Sequence, residues 1–172
     1  MVPQIKKILY ATDLSKNSSY AFLYAIDMAK RHDASIIILH AIEPIRPYMV
    51  SEGGTIVYNI LERAKEREQE MDIREIKKHL QELCKKAETQ IGPPCVELVS
   101  KILVTMGHPV EEILKVADEE GCDAIVLGTH GKGFLKQTFL GSVAGSVLER
   151  TRKPIFVIPL PSEKVTFDWD GI

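Results

Sequence analysis

Apolar residues cluster along this chain in two alternating patterns. Short, nearly unbroken apolar runs appear at Lys7–Ala11, Ser35–Ala41, Ala124–Leu127 and Ile155–Ile158. With little period-two alternation, they read as strands covered on both faces. A further strand is expected over Cys95–Val104, alternating at its start. Between these runs, apolar positions recur at steps of three and four, which places them along one side of a helix. A first helix is predicted to about Arg31, with Ser15 or Asn17 able to cap it. A long one is predicted from about Asn59 to Thr89, its stripe running through Ile73, Ile76, Leu80, Leu83 and Ala87. Two more are expected, from Pro109 to Glu119 and from Ser142 to Arg150.

Gly92-Pro93-Pro94 stops the long helix, and Pro109 suits a first helical position. Strands and helices alternate throughout, the pattern of an α/β domain with right-handed crossovers. The expected fold is an open parallel five-stranded sheet with helices on both faces, Rossmann-like, in strand order 3-2-1-4-5. One domain is expected over residues 1–160, with a Pro/Gly-rich loop and the long helix at about 43–90. A C-terminal extension, 161–172, carries Phe167 and Trp169, which are expected to fold onto the body or a neighbouring subunit. The dense charge from Glu62 to Glu68 reads as the solvated face of a crossover helix in preference to a coiled-coil surface.

A 45% hydrophobic and 27% charged composition over 172 residues is ordinary for a globular chain. No apolar run approaches the ~18 residues of a spanning helix. The N-terminus enters a strand pattern almost at once, leaving no room for a secretory segment, so a cytoplasmic location is expected. A net charge of −2 offers no global attraction to nucleic acid. Cys84, Cys95 and Cys122 suit neither zinc nor a disulfide framework and read as buried or half-buried thiols.

The stretch with most chemical content is Gly128-x2-Gly131-x9-Gly141-Ser142, between a strand and a helix. Glycines let main chain approach a ligand closely and adopt φ > 0, and a helix start offers unpaired N–H groups and a positive dipole end. The combination reads as a phosphate cradle, with a helix cap as the alternative role for Ser142. It is not a Walker A loop, because Gly131-Lys132-Gly133 lacks the following Ser/Thr. No G-x-G-x-x-G follows the first strand, which argues against a dinucleotide oxidoreductase. Strand three ends in Leu103-Val104-Thr105 without the acid that a phosphorylatable receiver needs. His130 reads as a loop residue, His40 as a satisfied core histidine, and Lys132 and Lys136 as phosphate contacts or solvated side chains.

With Ile8-Leu9-Tyr10-Ala11-Thr12-Asp13, Leu39-His40-Ala41-Ile42, Gly107-His108-Pro109 and the closing Lys153-Pro154-Ile155-Phe156-Val157-Ile158-Pro159 in that order, the chain resembles the universal stress protein family, in its ATP-binding branch. The resemblance runs from Ile5 to Pro159 and implies an adenine nucleotide, ATP, ADP or AMP, with any Mg2+ held mainly by phosphates. It implies that Asp13, flanked by Ala11 and Thr12, contacts the adenosine part and that the Ala41 main chain reads the adenine edge. Gly128 and Gly131, with Leu127 and His130 beside them, would line the ribose and phosphate side; Gly141, Ser142 and Val143 would hold the phosphates. It further implies a homodimer through Ile155–Ile158, a short apolar strand expected at a sheet edge.

The expected function is a nucleotide-binding stress-response sensor or regulator, with no catalytic or metal-ligating residues named. The alternative is an enzyme, a slow ATPase or a nucleotidyl-transferring relative. Its metal site would rest on Asp13, with Glu43 as a possible second acid, plus waters and phosphates.

Overall fold

Successive residues of a strand face opposite sides of a sheet, so an unbroken apolar run supplies two cores at once. The computed structural model, which describes residues 2–44, 55–129 and 140–159 with the side chains of 55–71 excepted, is built on that property. Its strands are β1 (Lys7–Ala11), β2 (Ser35–Ile42), β3 (Val99–Met106), β4 (Ala124–Gly128) and β5 (Ile155–Ile158). All neighbours pair in parallel, in the order β3-β2-β1-β4-β5. The helices are α1 (Lys16–His32), α2 (Thr55–Ile91), α3 (Pro109–Glu119) and α4 (Ser142–Arg150).

Ile8, Tyr10, Ile36, Ile38 and Val126 face one way, into a core completed by Phe22 and Ile26 of α1 and by Leu80, Leu83 and Ala87 of α2. Leu9, Ile37, Leu39, Ile125 and Leu127 face the other way, against Val110, Ile113 and Val116 of α3 and Ala144 and Val147 of α4. Two helices therefore cover each face, as the alternation of strands and helices requires.

Ser15 is the cap of α1, its Oγ accepting from Ser18 N at 3.2 Å. Asp33, in the left-handed region at φ 50°, ends that helix. Gly92 ends α2 at φ 77°, the conformation that most favours glycine.

Two boundaries differ from expectation. α2 begins at Thr55, a turn before Asn59. β3 begins at Val99, because Val96–Leu98 forms a 3-10 turn instead of strand. The Val96 N–H donates to Glu88 Oε2 at 2.8 Å, a contact with α2 that diverts the chain before it reaches β2. Cys84, Cys95 and Cys122 are free thiols and all buried. The Pro/Gly-rich positions Pro47, Gly53 and Gly54 and the tail aromatics Phe167 and Trp169 lie outside the described residues. Among those described, no helix is long and apolar enough to cross a membrane.

Candidate functional site

Strand order reverses at β1, which has β2 on one side and β4 on the other. Helices leave in opposite directions there, and a crevice opens outside the carboxyl ends of the strands. The cleft measures about 400 Å³, within the range of small-molecule sites. Ala11, Thr12 and Asp13 form its wall after β1, and Ala41 its wall at the end of β2. Leu127 and Gly128 close it at β4, and Gly141, Ser142 and Val143 at the start of α4. The predicted contacts thus converge wherever they fall within the described residues. His130, Gly131, Lys132 and Lys136 lie outside them.

The turn after β1 is fixed by its own short polar side chains. Thr12 Oγ1 accepts from Leu14 N at 3.0 Å and is hydrogen-bonded to Ser18 Oγ. Asp13 Oδ1 accepts from Ser15 N at 3.0 Å and from Ser15 Oγ at 2.6 Å. Beneath them, the buried Tyr10 hydroxyl donates to Ser18 O at 2.8 Å, and burial holds its pKa well above the usual phenol value. Asp13 is therefore both a turn residue and a cleft residue.

At α4, the helical ladder starts with Gly145 N–H donating to Gly141 O at 2.9 Å. The Gly141 N–H is already taken, donating to Thr129 O at 2.7 Å, while Thr129 N–H donates to Ile158 O at 2.9 Å. The amides of Ser142, Val143 and Ala144 precede the ladder, and no described residue accepts from them. Two expectations are corrected here. Ser142 is the first residue of the helix and Gly141 holds the cap position, so the serine hydroxyl is not a cap. Gly141 sits at φ −65° and Gly128 is not left-handed either, so neither is there to supply φ > 0.

His40 is revised as well. It is half-buried, lines the cleft, and places Nδ1 2.8 Å from the Thr12 carbonyl. It is satisfied, but it belongs to the site and not to the core.

Leu39, Leu127, Pro109 and Ile113 give the cleft an apolar flank. Glu43 stands at its margin, with His108 Nε2 3.7 Å from Glu43 Oε1. No group of three or more His, Cys, Asp or Glu side chains converges on a metal position among the described residues. The cleft thus offers main-chain donors at the start of α4, an apolar flank, and a carboxylate after β1. Ser18, Pro109, Ile113, Thr129 and Ala144 also line it. Thr129 falls inside the Gly128-x2-Gly131 motif and Pro109 at a helix start, whereas Ser18, Ile113 and Ala144 carried no signal of a site in the sequence.

The sequence profile of the universal stress protein family matches residues 4–159. The universal stress protein MJ0577 of Methanocaldococcus jannaschii is 31% identical over 155 residues, which cover 89% of this chain and 94% of that protein. The solved structure of MJ0577 superposes with a TM-score of 0.65 at 26% identity, covering 93% of this chain and 99% of the other. A universal stress protein solved in complex with cAMP superposes with a TM-score of 0.54 at 21% identity, covering 90% and 97% of the two chains. The universal stress protein of Archaeoglobus fulgidus, solved in complex with dAMP, gives 0.52 at 18% identity, covering 93% and 100%.

Proposed function

Because the chain belongs to the universal stress protein family, we propose that it binds an adenine nucleotide, ATP foremost, in the cleft at the β1/β4 switch point and serves as a stress-response sensor or regulator. The observation that carries this reading is the row of amides at Ser142, Val143 and Ala144, which precede the α4 ladder in residues that line the cleft. Main-chain N–H groups at a helix start donate to phosphate oxygens with the helix dipole behind them and need no basic side chain. Asp13 lines the cleft after β1, where its carboxylate accepts from ribose hydroxyls. The apolar flank of Leu39, Pro109 and Ile113 suits a flat base, and the end of β2 at Ala41 offers it a main-chain edge. Relatives of the same fold bound to cAMP and dAMP support the nucleotide class. Any Mg2+ would be held mainly by the phosphates.

Catalysis is not required by this reading, and hydrolysis, if present, is weak. The same proposal extends to a homodimer through β5, whose outer edge pairs with no described strand.

Titration calorimetry with ATP tests the reading. Ser142→Pro is the informative variant, because proline is favoured at the first helical position yet has no N–H. The preceding Gly141, at φ −65° and ψ 160°, already has the conformation proline imposes on its neighbour. ATP affinity is expected to fall about tenfold with the melting temperature nearly unchanged, and Ser142→Ala, which keeps the amide, to lose less. Absence of ATP binding by the wild type at millimolar nucleotide would defeat the proposal. Turnover of ~1 s⁻¹ or faster, lost in Asp13→Ala, would make the protein an enzyme instead.

A further inference from the structure

We propose that His40 is a positioning residue of the cleft: its imidazole stops the β1–β2 ladder one rung short and so leaves the Ala41 main chain facing the ligand. The register of β1 and β2 ends with Ala11 opposite Leu39, and Thr12 adds one more bond, its N–H donating to Leu39 O at 2.9 Å. In a parallel ladder, a residue that donates to one position accepts from the position two further along. The Thr12 carbonyl is therefore the acceptor that the Ala41 N–H would meet next. That carbonyl is held instead by His40 Nδ1 at 2.8 Å. A carbonyl only accepts, so Nδ1 carries the hydrogen, a condition met by both the Nδ1–H tautomer and the imidazolium.

On the other side, Ala41 stays paired with Thr105 and Ile42 with Met106, and the Gly107 N–H closes on Ile42 O at 2.9 Å. Ala41 is thus held extended by β3 while its β1 side is released beside Thr12, and both residues line the cleft. One strand residue whose N–H and C=O, on the same side, are taken up by no described residue matches a ring nitrogen acceptor next to an exocyclic amine donor, the edge that adenine presents. The His40 bond also fixes the plane of the Thr12–Asp13 peptide, and with it the turn that carries the Asp13 carboxylate. The ligand half of this inference rests on the nucleotide reading, whereas the ladder half stands on the protein alone.

The test compares His40→Leu, His40→Asn and His40→Gln. Asparagine places an N–H donor near the position of Nδ1, glutamine places it further out near Nε2, and leucine has none. In nucleotide-free protein, NMR amide exchange at Ala41 is expected to slow about tenfold or more in His40→Leu, as the N–H closes on the vacated Thr12 carbonyl. In His40→Asn it is expected to keep the wild-type rate. Affinity for AMP should fall about tenfold, the scale of one hydrogen bond, in the Leu and Gln variants, and return to near wild type with Asn. Tripolyphosphate, which has no base, should bind all variants alike. Wild-type exchange at Ala41 in His40→Leu, or AMP affinities that do not separate Asn from Gln, would overturn the proposal. If His40→Leu does not fold, the Asn and Gln comparison decides it. Should the wild type bind neither AMP nor ATP, the nucleotide reading fails by itself, and the exchange rates still decide the ladder claim.

Discussion

Asp13 Oδ1 accepts from Ser15 N and Oγ while the residue lines the cleft, so substitutions there separate turn chemistry from ligand chemistry. Asp13→Asn keeps an oxygen acceptor for Ser15 and removes the charge. Asp13→Ala removes both and is expected to cost about 1 kcal/mol, a shift of about 2–4 °C in a domain of this size. Both variants should weaken adenosine nucleotides in titration calorimetry. Tripolyphosphate should bind them about as well as the wild type. A large gain in tripolyphosphate affinity in Asp13→Asn would place the carboxylate beside the phosphates, where its charge repels them, and contradict the assigned roles. Asp13 and Ala41 were reached through the family resemblance, while Ser142 was marked by the glycine-rich pattern that ends at a helix start. Ser18, Ile113 and Ala144 were not, because which helical residue faces the cleft depends on how the helix is rotated against the sheet. His40 was legible as a hydrogen-bonding group, but its partner Thr12, 28 residues away, is set by strand register.

The elements are joined by buried thiols whose chemistry reports on packing. Cys84 sits in α2, Cys95 just before the 3-10 turn, and Cys122 just before β4. Burial pushes the Cys84 thiol up to about 12 and the other two up to about 11. The folded state thus prefers neutral thiols, while the unfolded chain releases their protons near the ordinary value of 9.0. Their stabilising effect is fully present below pH 9 and is lost as pH rises through 11 to 12. Urea unfolding at pH 8 and at pH 10.5 should therefore show lower stability at the higher pH, with part of the loss removed by Cys84→Ala. A thiol reagent at pH 8 should label the folded protein only slowly and the denatured protein at all three sites. Fast labelling of the native protein would contradict this packing. The α2 stripe was legible because Leu80, Leu83 and Ala87 repeat against a charged background. The late start of β3 was not, because it depends on Glu88 reaching Val96 from another element. Length alone sets α2 apart: its 37 residues span about 55 Å, roughly twice the eight residues of β3.

For the whole molecule, the proposed dimer turns on the outer side of β5. Ile125 N–H donates to Pro154 O and Thr129 N–H to Ile158 O, so alternation turns the main-chain groups of Ile155 and Val157 outward. Val157→Pro deletes one outward N–H without touching a bond to β4, a substitution that edge strands tolerate. Sedimentation at micromolar concentration is expected to show a dimer for the wild type and a shift toward monomer for Val157→Pro. A monomeric wild type would remove the dimer proposal. The strand order was legible at this scale, since an alternating chain with its glycine-rich loop after the fourth strand has few ways to bring that loop beside the first. The same bonds give the cleft one more property. Gly141 N–H closes on Thr129 O, and Thr129 N–H on Ile158 O, so the chain leaves and re-enters the wall through a sealed neck. Closure entropy grows only logarithmically with loop length. A peptide tag spliced between those two residues is therefore expected to leave both walls their span.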